Sequence, residues 1–114
     1  TTRFTFDDDG TFTATGDVVA YSDERLKSDI QTLDGSKVHE MRGVSFIKDG
    51  KQGSGVIAQE LEKVAPELVN NEGEYKAVAY GNLVGYLIEA VKSQQSLIED
   101  LTARIEWLER NSKD

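Results

Sequence analysis

NLVGYLIEAVKSQQSLIEDLTARIEWLER, residues 82–110, is the stretch from which the architecture of this chain follows. Along it Val84, Leu87, Val91, Gln94, Ile98, Leu101, Ile105 and Leu108 recur with gaps alternating between three and four, the spacing of a coiled-coil seam. The seam is apolar at every site except Gln94. Asn82 reads as the N-cap, and a helix from there to about Arg110 spans ~43 Å at roughly 1.5 Å per residue. A helix of that length on a domain this small cannot bury such a stripe alone, so the pattern predicts self-association. Val84, Val91, Ile98 and Ile105 take the first core position and Leu87, Leu101 and Leu108 the second. In simple coiled coils that arrangement suits two strands, but Ile88 and Leu97 flank the seam and widen it, which suits three or more. The reading places a parallel trimer above a dimer, with Arg104 set to meet Glu109 of a neighbour. The competing reading docks the helix on its own domain.

Upstream, the elements are short. Phe4, Phe6 and Phe12 alternate with threonines around Asp7-Asp8-Asp9-Gly10, a β-hairpin signal, and Val18-Val19-Ala20 reads as a further strand. Leu26, Ile30 and Leu33 are spaced for a short helix, ended by Asp34-Gly35, with a helical turn resuming over Val38 to Met41. Gly43 to Ile47 and Gly55 to Ile57 read as a second hairpin with a long polar tip, Lys48 to Ser54. Ala58 to Val64 reads as a helix stopped by Pro66, and Leu68-Val69 and Tyr75 to Tyr80 as two short strands. The sum is an α+β fold: N-terminal strands, a small mixed body with a hairpin protrusion, and the long C-terminal helix.

Composition narrows the function classes. With 114 residues, 38% hydrophobic, one domain is the expectation. A net charge of -8 argues against nucleic acid as a partner. Without cysteine there is neither a disulfide framework nor a thiolate site, and His39, the one histidine, has no second histidine with which to share a metal. No metal or other cofactor is expected. No apolar run approaches the ~20 residues that span a bilayer, so no membrane partner is expected either.

One cluster carries potential chemistry: SDERLK, Ser22 to Lys27. A serine hydroxyl becomes a nucleophile when a base takes its proton, and a lysine can be that base once it is deprotonated. With Ser22 at a strand end and Lys27 one turn onward, the amine can swing back to the hydroxyl. The alternative is structural: Ser22 as a helix N-cap, Asp23 and Glu24 at the positive end of the helix dipole, and Lys27 solvated.

Three segments then carry a resemblance: SDERLKSDI at 22–30, GVIAQELEKVAPELV at 55–69 and YKAVAYGNLV at 75–84, running into the heptads. The chain resembles the C-terminal intramolecular chaperone domain of phage endosialidases, tail fibres and neck appendages, also classed as a self-cleaving serine-lysine peptidase family. The resemblance implies that residues 1–21 are the end of a fibre or tailspike body and that residues 22–114 are the chaperone, with its coiled-coil helix at 82–110. Three copies would align the fibre chains while their β-structure folds, the precursor's own body being the client. A single-turnover cut by Ser22 and Lys27 would then release the chaperone. It implies the host cytoplasm during assembly, with the fibre body passing to the virion tail. In the family the cut falls after the serine, here between Ser22 and Asp23. A hydroxyl attacking its own carbonyl closes a strained four-membered ring, which leaves open attack on the Tyr21 carbonyl or attack by a neighbouring chain's serine. Two further alternatives are a non-catalytic trimerisation cap and the same domain in a membrane-tethered, non-viral regulator.

Overall fold

The computed structural model describes residues 1–112, and the chain divides into two compact units, Thr1–Gln31 and a larger one from Thr32 onward. In the first unit, β1 (Phe4–Phe6) and β2 (Phe12–Ala14) form the expected antiparallel hairpin, with Phe6 opposite Phe12. The Asp-rich turn closes through Gly10 N–H donating to the Asp7 carbonyl at 2.9 Å. The Phe6 and Phe12 rings lie 4.9 Å apart, a cross-strand pair of the kind that holds small ladders together.

Two expectations for this unit are corrected. Val18-Val19-Ala20 forms no strand, and Val19 is 86% exposed, because a strand exists only as part of a ladder and none is within reach. The helix expected from Leu26, Ile30 and Leu33 shrinks to one 3-10 turn, Glu24–Leu26. Asp29 takes φ 53, in the left-handed region that a right-handed helix cannot pass through, and Leu26 and Ile30 stay exposed.

In the second unit Asp34-Gly35 starts an element instead of ending one. The Asp34 carboxylate accepts from Ser36 N–H at 3.0 Å and from Ser36 Oγ at 2.6 Å, capping a 3-10 segment at Gly35–Glu40. The hairpin follows as β3 (Val44–Lys48) and β4 (Lys51–Gly55), in register from Val44↔Gly55 to Lys48↔Lys51. The long tip expected over Lys48 to Ser54 is therefore corrected to a two-residue turn. Asp49 and Gly50 have φ 52 and 77, the doubly left-handed geometry that matches strand twist, so pairing continues to the end of the hairpin.

Helix α1 (Ala58–Glu62) is shorter than expected, and Pro66 opens a further 3-10 turn, Pro66–Leu68, where its fixed φ and missing N–H do no harm. Strands β5 (Val69–Asn70) and β6 (Ala77–Val78) pair antiparallel. Helix α2 (Leu83–Asn111) is the long C-terminal helix that the sequence predicts. Asn82 occupies its N-cap position without a side-chain cap bond, since the chain enters through the 3-10 turn Tyr80–Asn82 with its backbone already helical.

The described sheets are three separate two-stranded ladders, so packing falls to helices and turns. Leu61 of α1, Ala65, Leu68 and Tyr86 of α2 form the buried centre, ringed by Val38, Met41, Val56, Val69, Val78 and Leu83. Gly35 lets the 3-10 segment lie directly on α2: a Cβ there would stand 2.4 Å from Ala90 N. Tyr86 donates its phenolic hydrogen to the Glu67 carboxylate, tying α2 to the Pro66–Leu68 turn. The fold is thus α+β, with a small core at the root of a long helix.

Candidate functional site

Ser22 and Lys27 come together within one chain. Lys27 Nζ donates to Ser22 Oγ at 2.6 Å, and both side chains are exposed. The approach rests on the turn between them. Leu26 N–H donates to the Asp23 carbonyl at 3.0 Å and Lys27 N–H to the Glu24 carbonyl at 3.1 Å, folding the chain back by one 3-10 turn. The helix cap in this segment is Asp23, not Ser22: Asp23 Oδ1 accepts from the Arg25 backbone N–H at 2.8 Å. The Ser22 hydroxyl therefore remains to meet the lysine.

Asp23 carries a second contact that the sequence reading missed. Arg25 Nε and Nη2 grip its two carboxylate oxygens at 3.0 and 2.8 Å. This fork, with the backbone hydrogen bond, holds the Asp23 carboxyl below the usual carboxylate range. An Asp two residues before the N–H that it caps is the available signal, where the structural alternative gives the cap to Ser22. A depression lined by Tyr21, Asp23, Arg25 and Leu26 opens beside the turn.

Chemically, a lysine amine within hydrogen-bond distance of a serine hydroxyl has the geometry of a nucleophile and its base. In this contact the amine donates. To accept the hydroxyl proton it must first shed its own, a state that removal from water favours for lysines in general. Among the described residues no group of His, Cys, Asp and Glu could hold a metal ion, and no helix is long and apolar enough to cross a membrane.

The seam residues lie on one long face of α2. The domain takes a different strip: Leu83, Tyr86 and Ala90 pack inward, while exposure along the seam runs from 49% at Leu101 to 64% at Val91. Gln94 is exposed as well. Val84, Leu87, Ile98, Ile105 and Leu108 are each at least half exposed, so the chain's own domain does not cover the stripe. Arg104, expected to face Glu109 of a neighbour, lies 3.4 Å from Asp100 of its own helix.

Residues 22–70 match the family model described as chaperone of endosialidase, a peptidase family. The likeness covers this stretch, somewhat less than half of the chain. The matched segment begins at Ser22 and runs through the β3–β4 hairpin and α1 to β5, stopping short of α2. A search of curated proteins gave no match to the chain.

Proposed function

We propose that this chain is a self-releasing intramolecular chaperone of a phage tail fibre or tailspike. In this reading α2 gathers three copies through Val84, Leu87, Val91, Gln94, Ile98, Leu101, Ile105 and Leu108. The gathered copies hold the preceding fibre chains in register, and a single cut at Ser22 frees them. Joining the chain ends raises their effective concentration, which offsets the entropy lost in pairing distant strands. Cutting afterwards leaves the fibre kinetically trapped, because unfolded chains no longer carry the clamp.

The observation that carries the reading is the 2.6 Å approach of Lys27 Nζ to Ser22 Oγ inside a stretch that matches a peptidase family. The deprotonated amine takes the hydroxyl proton, and Oγ bonds to a carbonyl carbon. The C–N bond breaks, and the proton passes from the lysine to the departing nitrogen. Water, activated by the same amine, then hydrolyses the ester. Ser22 attacking the Tyr21 carbonyl in its own chain closes a five-membered ring and cuts Tyr21–Ser22. The family's bond, Ser22–Asp23, needs the hydroxyl of a neighbouring copy, since within one chain the ring would have four members.

Ser22→Ala and Lys27→Ala should each leave a full-length, folded product where wild type gives two fragments on denaturing gels. Intact fragment masses assign the bond. Wild-type cleavage in either variant would remove the dyad. The exposure of Ser22 and Lys27 in the single chain favours a second reading, a non-catalytic trimerisation cap, which expects no fragments even from native oligomers.

A further inference from the structure

The turn between serine and lysine contains more machinery than the two reacting groups. Lysine has four rotatable side-chain bonds, so a close pairing with a hydroxyl five residues away persists only if the intervening backbone is fixed. Three hydrogen bonds fix it, and two of them, Leu26 N–H to the Asp23 carbonyl and Lys27 N–H to the Glu24 carbonyl, are ordinary 3-10 bonds. The third is made by a side chain: Asp23 Oδ1 accepts from Arg25 N–H at 2.8 Å. The same carboxylate is itself held by the Arg25 guanidinium through Nε at 3.0 Å and Nη2 at 2.8 Å. Residue 23 thus closes the turn from its start, and Arg25 fixes the rotamer that does so.

We propose that Asp23 is a positioning residue for the cleavage reaction, its carboxylate setting the turn that brings Lys27 Nζ to Ser22 Oγ, with Arg25 locking that carboxylate in place. This rests on the self-cleavage reading above. The Asp23 side chain touches neither reacting atom, and an exposed ion pair adds little to global stability, so its effect belongs to the rate. The guanidinium arm is secondary, because the backbone bond survives without it.

The test follows cell-free synthesis of the full chain, with conversion of precursor to fragments measured as a first-order rate on denaturing gels. Asp23→Ala should slow conversion about fivefold to tenfold, the change in population carried by one lost N-cap of ordinary strength. Asp23→Asn, which keeps a capping oxygen and loses the charge, should restore the rate to within about twofold, since Asn caps as well as Asp does. Arg25→Gln, which keeps the backbone cap and loses only the fork, should likewise stay within about twofold. Thermal melts of the Asp23 variants made in the uncleaved Ser22→Ala background should match that of Ser22→Ala alone, because residue 23 lies outside the buried core. Cleavage of Asp23→Ala at the wild-type rate, or equal slowing in Asp23→Ala and Asp23→Asn, would overturn the inference. Ser22→Ala, run alongside, separates the two levels: if it is still cut, the dyad itself falls. If it stays whole while Asp23→Ala is cut at full rate, only the positioning role falls.

Discussion

Tyr86 and Gly35 show how single positions hold the root of the long helix. The Tyr86 phenol, 3% exposed, donates to the Glu67 carboxylate, and that bond together with burial pushes it up from 10.0 to about 12. The folded protein therefore holds this proton more tightly than the unfolded chain does. The resulting stability is full below pH 10 and is lost as pH rises from there through about 12. Urea titrations across that window should show wild type weakening while Tyr86→Phe stays flatter, and at neutral pH the variant should be less stable by about 1 kcal/mol, the net worth of one hydrogen bond. At Gly35 an added Cβ would meet Ala90 N at 2.4 Å and the Glu89 carbonyl carbon at 2.5 Å, both backbone atoms that cannot swing aside. Gly35→Ala should lower unfolding free energy by about 1–3 kcal/mol, as overpacking does, read from the shift in the urea midpoint.

Among the elements, α2 presents two different faces. Its first turns give Leu83, Tyr86 and Ala90 to the core, whereas Ile98 and Leu101 lie on the bare seam, about half exposed. Paired Ile98→Asp and Leu101→Asp substitutions should therefore abolish self-association in sedimentation experiments. The near-ultraviolet signal of the Tyr86 core should survive, because neither site touches it. This helix was legible in sequence because its period is long and unbroken, as were both hairpins, each with an Asp-Gly pair in its turn. What could not be read was how far a pattern extends without a partner. Leu26, Ile30 and Leu33 have helical spacing, yet Asp29 turns left-handed between them. Val18 to Ala20 has strand chemistry and no ladder to join. Likewise Lys51 to Gly55 looks like loop by composition, and only the two-residue geometry at Asp49-Gly50 makes it strand. At the candidate site the spacing of Ser22 and Lys27 left their contact open beside the capping alternative, while the grip of Arg25 on Asp23 depends on how the turn folds.

Over the whole molecule, burial falls short of what 114 residues usually require. Among the described residues the buried apolar side chains are Leu61, Ala65, Leu68, Tyr86 and Ala90. A centre that small is marginal in water, which is the physical reason to expect stability from neighbouring copies. The melting temperature should then rise with protein concentration and cease to do so in the Ile98→Asp, Leu101→Asp variant, a comparison scanning calorimetry can make. With a net charge of -8 on every copy, added salt should strengthen association by screening repulsion. The short span from Ser22 to Lys27 has one more outcome at this scale. A break between residues 22 and 23 sends hydroxyl and amine away on different fragments, so the scissors come apart with the thread and neither half can cut or rejoin anything. A break one bond earlier leaves both blades on the discarded piece, still able to nick other chains. If the chain cuts itself as proposed, the mass of one small fragment therefore reveals whether the released domain is spent or remains armed.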